Sequence, residues 1–554
     1  MESQHKIVKI IDNQMVLASL SNPTVPQSEL VQPCLFDGDI VQFNSQSSQW
    51  DIVSSPIRTS TMVGYFSTSQ QVKFGKTSSG ATIYQVSPFN QKLPYFLISY
   101  NGKQTGKLII TFKFNQWTKG LPRGEIVQVI GPMDLSNLVP TLQWNYGINR
   151  KEYKHKPVKN SYEISGNFER KVIDETVFSI DPVGCIDIDD AMSWSENSNG
   201  YNIKIHIAQP TYWLSESDLV SRAKTAFSTL YQEPTQHNSN LWGDEITKAS
   251  SLLAGALRPA YTMEFVISKL TSEITCFQHY PSLVTNTHAV NYSNCLSITC
   301  INDFYTITKK ISGNPHIDTH ELVSYWMVLA NNYLGKSEQV QKLNIPYRVT
   351  NSTIPIDTNS PNPMVPDVLD DKEVATAFAN MQLESATYQI NQVENYHQGL
   401  GINNYIHFTS PIRRIVDTIV HWCLTYNINF NYLVSTYGLD INTINKLDKS
   451  TKKFHHEINM LEKINKLELK PNESIELTGW VYSNIGNRWT VYFKELGFSR
   501  VKMWDFKFNY LLQNLSGEKI NEKKVGEKIS FKVCSKPGFL PKEKILIVPL
   551  LNLM

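Results

Sequence analysis

The sequence predicts a multidomain α+β protein in which small β-barrels flank a mixed α/β body. Three observations predict it. The 554 residues are too many for one hydrophobic core. Residues 1 to about 165, and those after Pro471, form short β-branched or alternating runs broken by Asn, Gly, Pro and Ser. Between them, helical patterns such as Ile415, Ile419, Val420 mix with strand-like stretches such as Ile205-His206-Ile207. Hydrophobic residues make up 41% of the chain and charged residues 18%, an ordinary globular balance.

Taken in order, the N-terminal strands are read at Lys6–Ile11, Gly38–Phe43 and Lys107–Phe112, and divide into barrels at about 1–58 and 59–145. The mixed body covers about 165–460. The Pro-, Asn- and Ser-rich stretch from Thr350 to Asp371 reads as a loop inside it. From Asn445 to Lys470, Leu447, Phe454, Ile458, Leu461, Ile464 and Leu467 mark an amphipathic helix, and its lysines read as a solvated face. Strands return in 471–554, at Ser474–Thr478, Trp489–Phe493, Ser499–Lys502 and Lys528–Val533.

The most informative stretch lies in the body. Asp181, Asp187, Asp189 and Asp190 fall within ten residues, with a Pro182-Val183-Gly184 turn after the first. On an extended backbone Asp187 and Asp189 point the same way, and the turn folds Asp181 back beside them. Like charges so close require a cation, and hard oxygen ligands suit Mg²⁺ or Mn²⁺. A short acidic cluster is often only a solvated loop. Here Val177, Phe178, Ile180, Ile186, Ile188, Ala191 and Met192 flank it, which predicts partial burial. An EF-hand calcium loop is excluded, because position twelve from Asp187 is Ser198 where that loop needs Glu. Magnesium that keeps waters and takes further ligands from a phosphate is the usual apparatus of phosphodiester cleavage.

A second motif runs from Gly399 to Arg414 and contains His407-Phe408-Thr409-Ser410-Pro411-Ile412-Arg413-Arg414. Ser410-Pro411 predicts a helix start, with both arginines in the first turn, where backbone N–H groups also favour anions. The planar guanidinium fork fits phosphate, so Arg413 and Arg414 read as a phosphate clamp.

Together these motifs, about 220 residues apart, resemble those of the ribonuclease II/R superfamily of RNB-domain exoribonucleases. Other segments agree: Ile205-His206-Ile207-Ala208, Phe227 to Tyr231, Ser251-Leu252-Leu253 followed by Arg258, Met327 to Asn331, and Tyr347-Arg348-Val349. The resemblance implies two cold-shock-type OB domains, an RNB catalytic domain and a C-terminal OB-fold RNA-binding domain. It implies 3′→5′ hydrolysis of single-stranded RNA to nucleoside 5′-monophosphates. Asp181, Asp187, Asp189 and Asp190 are then the Mg²⁺ ligands, with Mn²⁺ a substitute. Asp189, Asp190, Arg413 and Arg414 are catalytic, and Tyr231, Tyr292, Arg258 and Arg348 contact RNA.

Four residues depart from the family pattern. Gln209 stands where the family has Asp, Ser324 and Tyr325 replace an acidic pair, and Trp422 replaces an Arg. They motivate the alternative of an inactive RNB-fold RNA-binding scaffold. A small-nucleotide phosphodiesterase is a poorer fit, since three barrels would serve no purpose there. No nuclease module precedes the first barrel, so an endonucleolytic second site is not expected.

The formal net charge is only +2, so any footprint for a polyanion must be local. The seven cysteines are scattered and lack C-x-x-C pairs, which points to a reducing compartment and away from a zinc site. Cys185, inside the acidic motif, reads as a small filler. No signal peptide, transit segment or long apolar span is evident. A soluble, cytoplasmic, monomeric catalytic unit is expected, partnered by single-stranded RNA, with no membrane and with a protein partner in an RNA-decay complex left open.

Overall fold

The computed structural model describes residues 5–11, 14–20, 26–29, 34–70, 74–164, 169–198, 200–232, 238–350, 371–390, 395–485, 488–502 and 525–550. The loop read between Thr350 and Asp371 therefore lies outside the described residues apart from its two ends. The chain folds into two compact units, one mainly of residues 1–149 and one mainly of residues 150–536.

In the first unit, Thr61–Ser67, Thr82–Pro88, Phe96–Tyr100, Lys107–Gln116 and Arg123–Pro132 close into a barrel. Its last strand pairs antiparallel with Lys107–Gln116 and in parallel with Phe96–Tyr100 at Arg123 and Leu97, which is the five-stranded OB arrangement. Alternating inward residues Phe66, Val86, Phe96, Ile98, Leu108, Ile110 and Phe112 fill it. Phe36, from the preceding segment, joins that core against Phe96 and Trp117. His5–Ile11, Gln14–Ser19, Pro26–Glu29, Ile40–Asn44 and Gln49–Ser54 form a five-stranded sheet with the order third, second, first, fourth, fifth. Its small core holds Val8, Leu17, Leu35 and Val41.

The second unit is organised by a six-stranded sheet. Strands Asp190–Glu196, Gly200–Ala208 and Leu257–Ser268 are antiparallel neighbours. The 18-residue strand Ile274–Asn291 pairs antiparallel with Leu257–Ser268 over its first two thirds. Its last residues run parallel to Val177–Asp181, which in turn pairs with Asp190–Glu196, so the sheet curls back on itself. Ile203, Ile205, Ile207, Met263, Phe265 and Phe178 are fully buried on it.

Helix Thr319–Gly335 starts at a capping box in which Asp318 and Glu321 satisfy each other's backbone N–H groups. Helix Ile415–Tyr426 is buried along nearly its whole length. Ile441–Lys466 begins four residues before the predicted helix start, because Asp440 caps it. The C-terminal strands Ser474–Ile485, Arg488–Phe493, Gly497–Lys502, Lys528–Ser535 and Ile545–Leu550 repeat the OB strand order around Val481, Trp489, Val491 and Phe531. Trp480 of this sheet packs on Val374 and Phe378 of helix Lys372–Gln382. The fold is the predicted multidomain one, with OB-type sheets and a mixed α/β body.

Candidate active site

Strand register brings the acidic residues to one end of the curled sheet. Asp181 is the last residue of its strand and lies opposite Asn291, so Tyr292, the next residue, emerges beside it. The turn reverses the chain at Pro182–Cys185, where the Cys185 N–H donates to the Pro182 carbonyl at 3.1 Å. Gly184 takes φ +80°, which a β-carbon would strain. The returning segment is pinned where the Ile188 N–H meets Ser251 Oγ at 2.9 Å and the Leu252 N–H meets the Ile188 carbonyl at 3.1 Å. Asp190 then opens the next strand, opposite Ile207.

Burial follows the apolar flanks with one exception. Val177, Phe178, Ile180, Ile188, Ala191 and Met192 are buried, whereas Ile186 is 63% exposed at the tip of the loop.

The Arg413-Arg414 segment is not helical, which corrects the predicted helix start at Ser410-Pro411. Its backbone is claimed by another strand. The Thr229 N–H donates to the Arg413 carbonyl at 2.9 Å, the Ile415 N–H to the Phe227 carbonyl at 2.8 Å, and Ser228 bridges Arg414. Arg414 is extended and the helix starts at Ile415.

The two arginines diverge. Arg413 Nε donates to Asp189 Oδ2 at 3.1 Å and its terminal nitrogen to Ser410 Oγ at 3.1 Å. Arg414 is gripped by both oxygens of fully buried Asp417, at 2.5 and 3.0 Å, and contacts His407 Nε2 at 3.2 Å.

A cavity of about 850 Å³ lies at this end of the sheet. Among the described residues, Asp181, Asp187, Asp189, Asp190 and Asp244 line it together with a single guanidinium, that of Arg413. Tyr231, Asn238 and Asn240 form another wall, and His320, Val323, Ser324 and Met327 a third. The last four occupy one face of helix Thr319–Gly335, at i, i+3, i+4 and i+7. Tyr292 reaches the cavity with its ring stacked on His320, the centroids 3.7 Å apart and the planes 17° off parallel. Tyr231 is 38% exposed, and its N–H donates to His455 Nε2 at 3.2 Å.

The carboxylates differ in their partners. Asp189 is buried, with Oδ1 accepting from the Ile412 N–H at 2.8 Å and Oδ2 from Arg413. Burial raises its pKa well above the usual range, against the opposing pull of Arg413. Burial, helped by the charge of Asp181, pushes Asp190 up to about 7. Asp181 is pushed up to about 6, again chiefly by burial and then by Asp187, while Ser179 and Arg413 oppose the rise. Its Oδ2 is buried without a hydrogen-bond partner. Burial likewise holds the Cys185 thiol protonated, up at about 12.

A divalent ion fits this chemistry. An orphaned buried carboxylate oxygen beside a second carboxylate of raised pKa is a hard, under-neutralised oxygen pair. Among the described residues, no three His, Cys, Asp or Glu side chains lie together so as to hold an ion by themselves. Mg²⁺ commonly binds through one or two carboxylates and completes its shell with water and phosphate.

The remaining predicted contacts lie elsewhere. Arg348 is buried, 3.0 Å from Asp448 and over the Tyr388 ring at 4.5 Å. Arg258 donates to the Ala249 carbonyl at 3.3 Å. Neither lines the cavity, nor does Arg414. His320, Asn238, Asn240 and Asp244 went unread in the sequence. Only the helical spacing of His320 with Ser324 and Met327 carried a signal for any of them.

Residues 170–304 and 297–429 match the family model of the RNB domain. Ribonuclease R of Ureaplasma parvum serovar 3 is 24% identical, over 59% of this chain and 58% of that protein. The chain thus spans less than two thirds of the length of the curated relatives it matches. The structure of Mycoplasma genitalium RNase R in complex with ribose-methylated single-stranded RNA superposes with a TM-score of 0.72 at 15% identity, covering 99% of this chain and 100% of that one. Yeast Ssd1, described as a pseudonuclease, reaches a TM-score of 0.68 at 11% identity, covering 99% and 96%. The domain these matches and the fold define is an RNB domain with OB-type companions. In sequence the chain is similar to ribonuclease R proteins, and in fold to RNase R structures.

Proposed function

We propose that this protein is a metal-dependent 3′→5′ exoribonuclease that hydrolyses single-stranded RNA to nucleoside 5′-monophosphates. The observation that carries the reading is the convergence of Asp181, Asp187, Asp189, Asp190 and Arg413 on one cavity walled by Tyr231 and Tyr292. Asp181 and Asp190 would hold Mg²⁺, with Asp187 and Asp189 lining the same cavity. A bound divalent ion lowers the pKa of a water and neutralises charge on the departing oxygen. Arg413 takes the scissile phosphate on its guanidinium, oriented by Asp189 and Ser410. Water attacks phosphorus, the bond to the 3′ oxygen breaks, and the phosphate leaves on the 5′ oxygen of the released nucleotide. Tyr231 and the free face of Tyr292 stack terminal bases, as aromatic faces do in single-strand channels. Arg414 supports the site from behind, through Asp417, whose Oδ1 also accepts from the Ser410 N–H at 2.8 Å.

A second reading, a silent RNA-binding scaffold, is favoured by Asp189, whose two oxygens are both engaged by Ile412 and Arg413. The likeness to a pseudonuclease fold and the neutral Ser324 and Tyr325 point the same way. Incubating 5′-labelled single-stranded RNA with and without Mg²⁺ separates the two: progressive shortening only with the ion supports the nuclease, and binding without shortening supports the scaffold.

A further inference from the structure

Two arginines outside the cavity lining spend their hydrogen bonds on backbone carbonyls. Arg150 donates to the Ser228 carbonyl at 2.7 Å and to the Ser239 carbonyl at 2.9 Å. Arg222 donates to the carbonyls of Leu241 at 2.7 Å, Asn240 at 3.4 Å and Lys151 at 2.9 Å. Neither makes an ion pair among the described residues. Burying a guanidinium without a carboxylate is costly, and a fold that keeps two of them gains something specific from their geometry.

Apart from that of Lys151, the carbonyls they hold belong to the segments that build the cavity wall. Leu230 and Ser239 exchange both backbone hydrogen bonds at 2.9 Å, and Ser228 lies two residues before that bridge. The Arg150 fork ties the two paired segments together, taking one carbonyl from each. The 227–231 strap also carries Tyr231 into the cavity lining and braces Arg413, through the Thr229 N–H and the Ser228–Arg414 bridge. Only a planar fork reaches both carbonyls at once; a lysine reaches one.

We propose that Arg150 is a positioning residue for the phosphate-binding Arg413, acting through the 227–231 strap. The proposal rests on the nuclease reading above. The test compares R150K, R150Q, R413A and the R150Q/R413A double variant of the full chain, on a short 5′-labelled RNA in Mg²⁺. RNA affinity in EDTA and the melting temperature are measured alongside. A misplacement of about 1 Å can cost ~100-fold in rate. R150K and R150Q are therefore both expected to lose about 10- to 100-fold in kcat while remaining folded. In the R413A background R150Q should cost nothing further, because the group it positions is already gone. Full activity in R150Q, rescue by R150K, or losses that multiply in the double variant would overturn the proposal. Should wild type bind RNA without cleaving it, the nuclease reading fails separately, and the same cycle is scored on affinity in EDTA. There, non-additive weakening supports Arg150 as a positioning residue, and additive or absent weakening rejects it. R150K keeps the buried charge, so it covers the case in which R150Q fails to fold.

Discussion

Replacing Asp189 with Asn separates charge from shape at the centre of the site. The side chain is buried and its two oxygens face different donors. In the Asn variant, Oδ1 can still accept from the Ile412 N–H, but the amide nitrogen then meets Arg413 Nε, donor against donor. Arg413 is half exposed, so it can turn to water at little cost to stability. Removing a buried carboxylate whose ionisation burial already opposes is also inexpensive, and the melting temperature should hold or rise slightly. RNA affinity should improve, since five carboxylates, Asp181, Asp187, Asp189, Asp190 and Asp244, face the bound phosphate and one of them is neutralised. For unit charges ~8 Å apart at an effective dielectric of ~40 this amounts to about 1 kcal/mol, roughly fivefold in Kd. Hydrolysis should fall by about 1,000-fold or more, equivalent to ~4 kcal/mol of barrier. The assay pairs RNA binding in EDTA with cleavage of the same labelled RNA in Mg²⁺. Cleavage near the wild-type rate would refute the assignment of Asp189, and lost cleavage accompanied by a collapsed melting temperature would refute the separation of charge from shape.

Three further outcomes follow from particular contacts. Tyr292→Ala removes a stacking face worth ~1–3 kcal/mol per base, so KM for short RNA should rise by roughly 5- to 150-fold; His320→Ala, which leaves that face in place, should change it by less. Deleting residues 471–554 strips Trp480 from Val374 and Phe378, both fully buried, at ~1.5–3 kcal/mol each, and so should lower the melting temperature as well as flatten the salt dependence of RNA binding by about 0.7 per lost phosphate contact; an unchanged melting temperature would contradict that packing. Gln209→Asp and Trp422→Arg should each destabilise the protein, with the double variant better than the sum by ~1–3 kcal/mol, read from a denaturation cycle.

That last expectation comes from where the family departures fall. Gln209 is buried, accepting from Arg170 at 2.7 Å and donating to Thr425 Oγ1 at 2.8 Å. Glu163 already pairs with Arg170. Trp422, three residues before Thr425, packs against Tyr162 and Tyr426. The two changes thus share one interior cluster, and neither residue lines the cavity. Of the departures, only Ser324 touches the candidate site.

The acidic loop was legible in the sequence because its determinants are local: a Pro-Val-Gly turn, four aspartates at short spacing, and apolar flanks that enter a sheet. The OB-type sheets were legible for the same reason. The start of the Arg413 helix was misread because Ser410-Pro411 is a good local start, but the backbone beyond it pairs with Phe227–Thr229, nearly two hundred residues upstream. The separate fates of Arg413 and Arg414 hang on Asp189 and Asp417, a choice that neighbouring identical residues cannot reveal. Asn238 and Asn240 reach the cavity only through tertiary packing, and nothing in their own neighbourhoods marks them as site residues; His320 is marked only by its helical spacing with Ser324 and Met327.

The most direct measurement of the central claim uses one single-stranded RNA, labelled at its 5′ end, offered with Mg²⁺ and with EDTA beside a circular RNA and a DNA of the same sequence. Shortening from the 3′ end with release of nucleoside 5′-monophosphates, dependent on Mg²⁺ and absent on the circle, is the predicted result. The DNA should be cut far more slowly, because the 2′-OH distinguishes the two. Tight binding of the linear RNA with no shortening in Mg²⁺ or Mn²⁺ would contradict the claim.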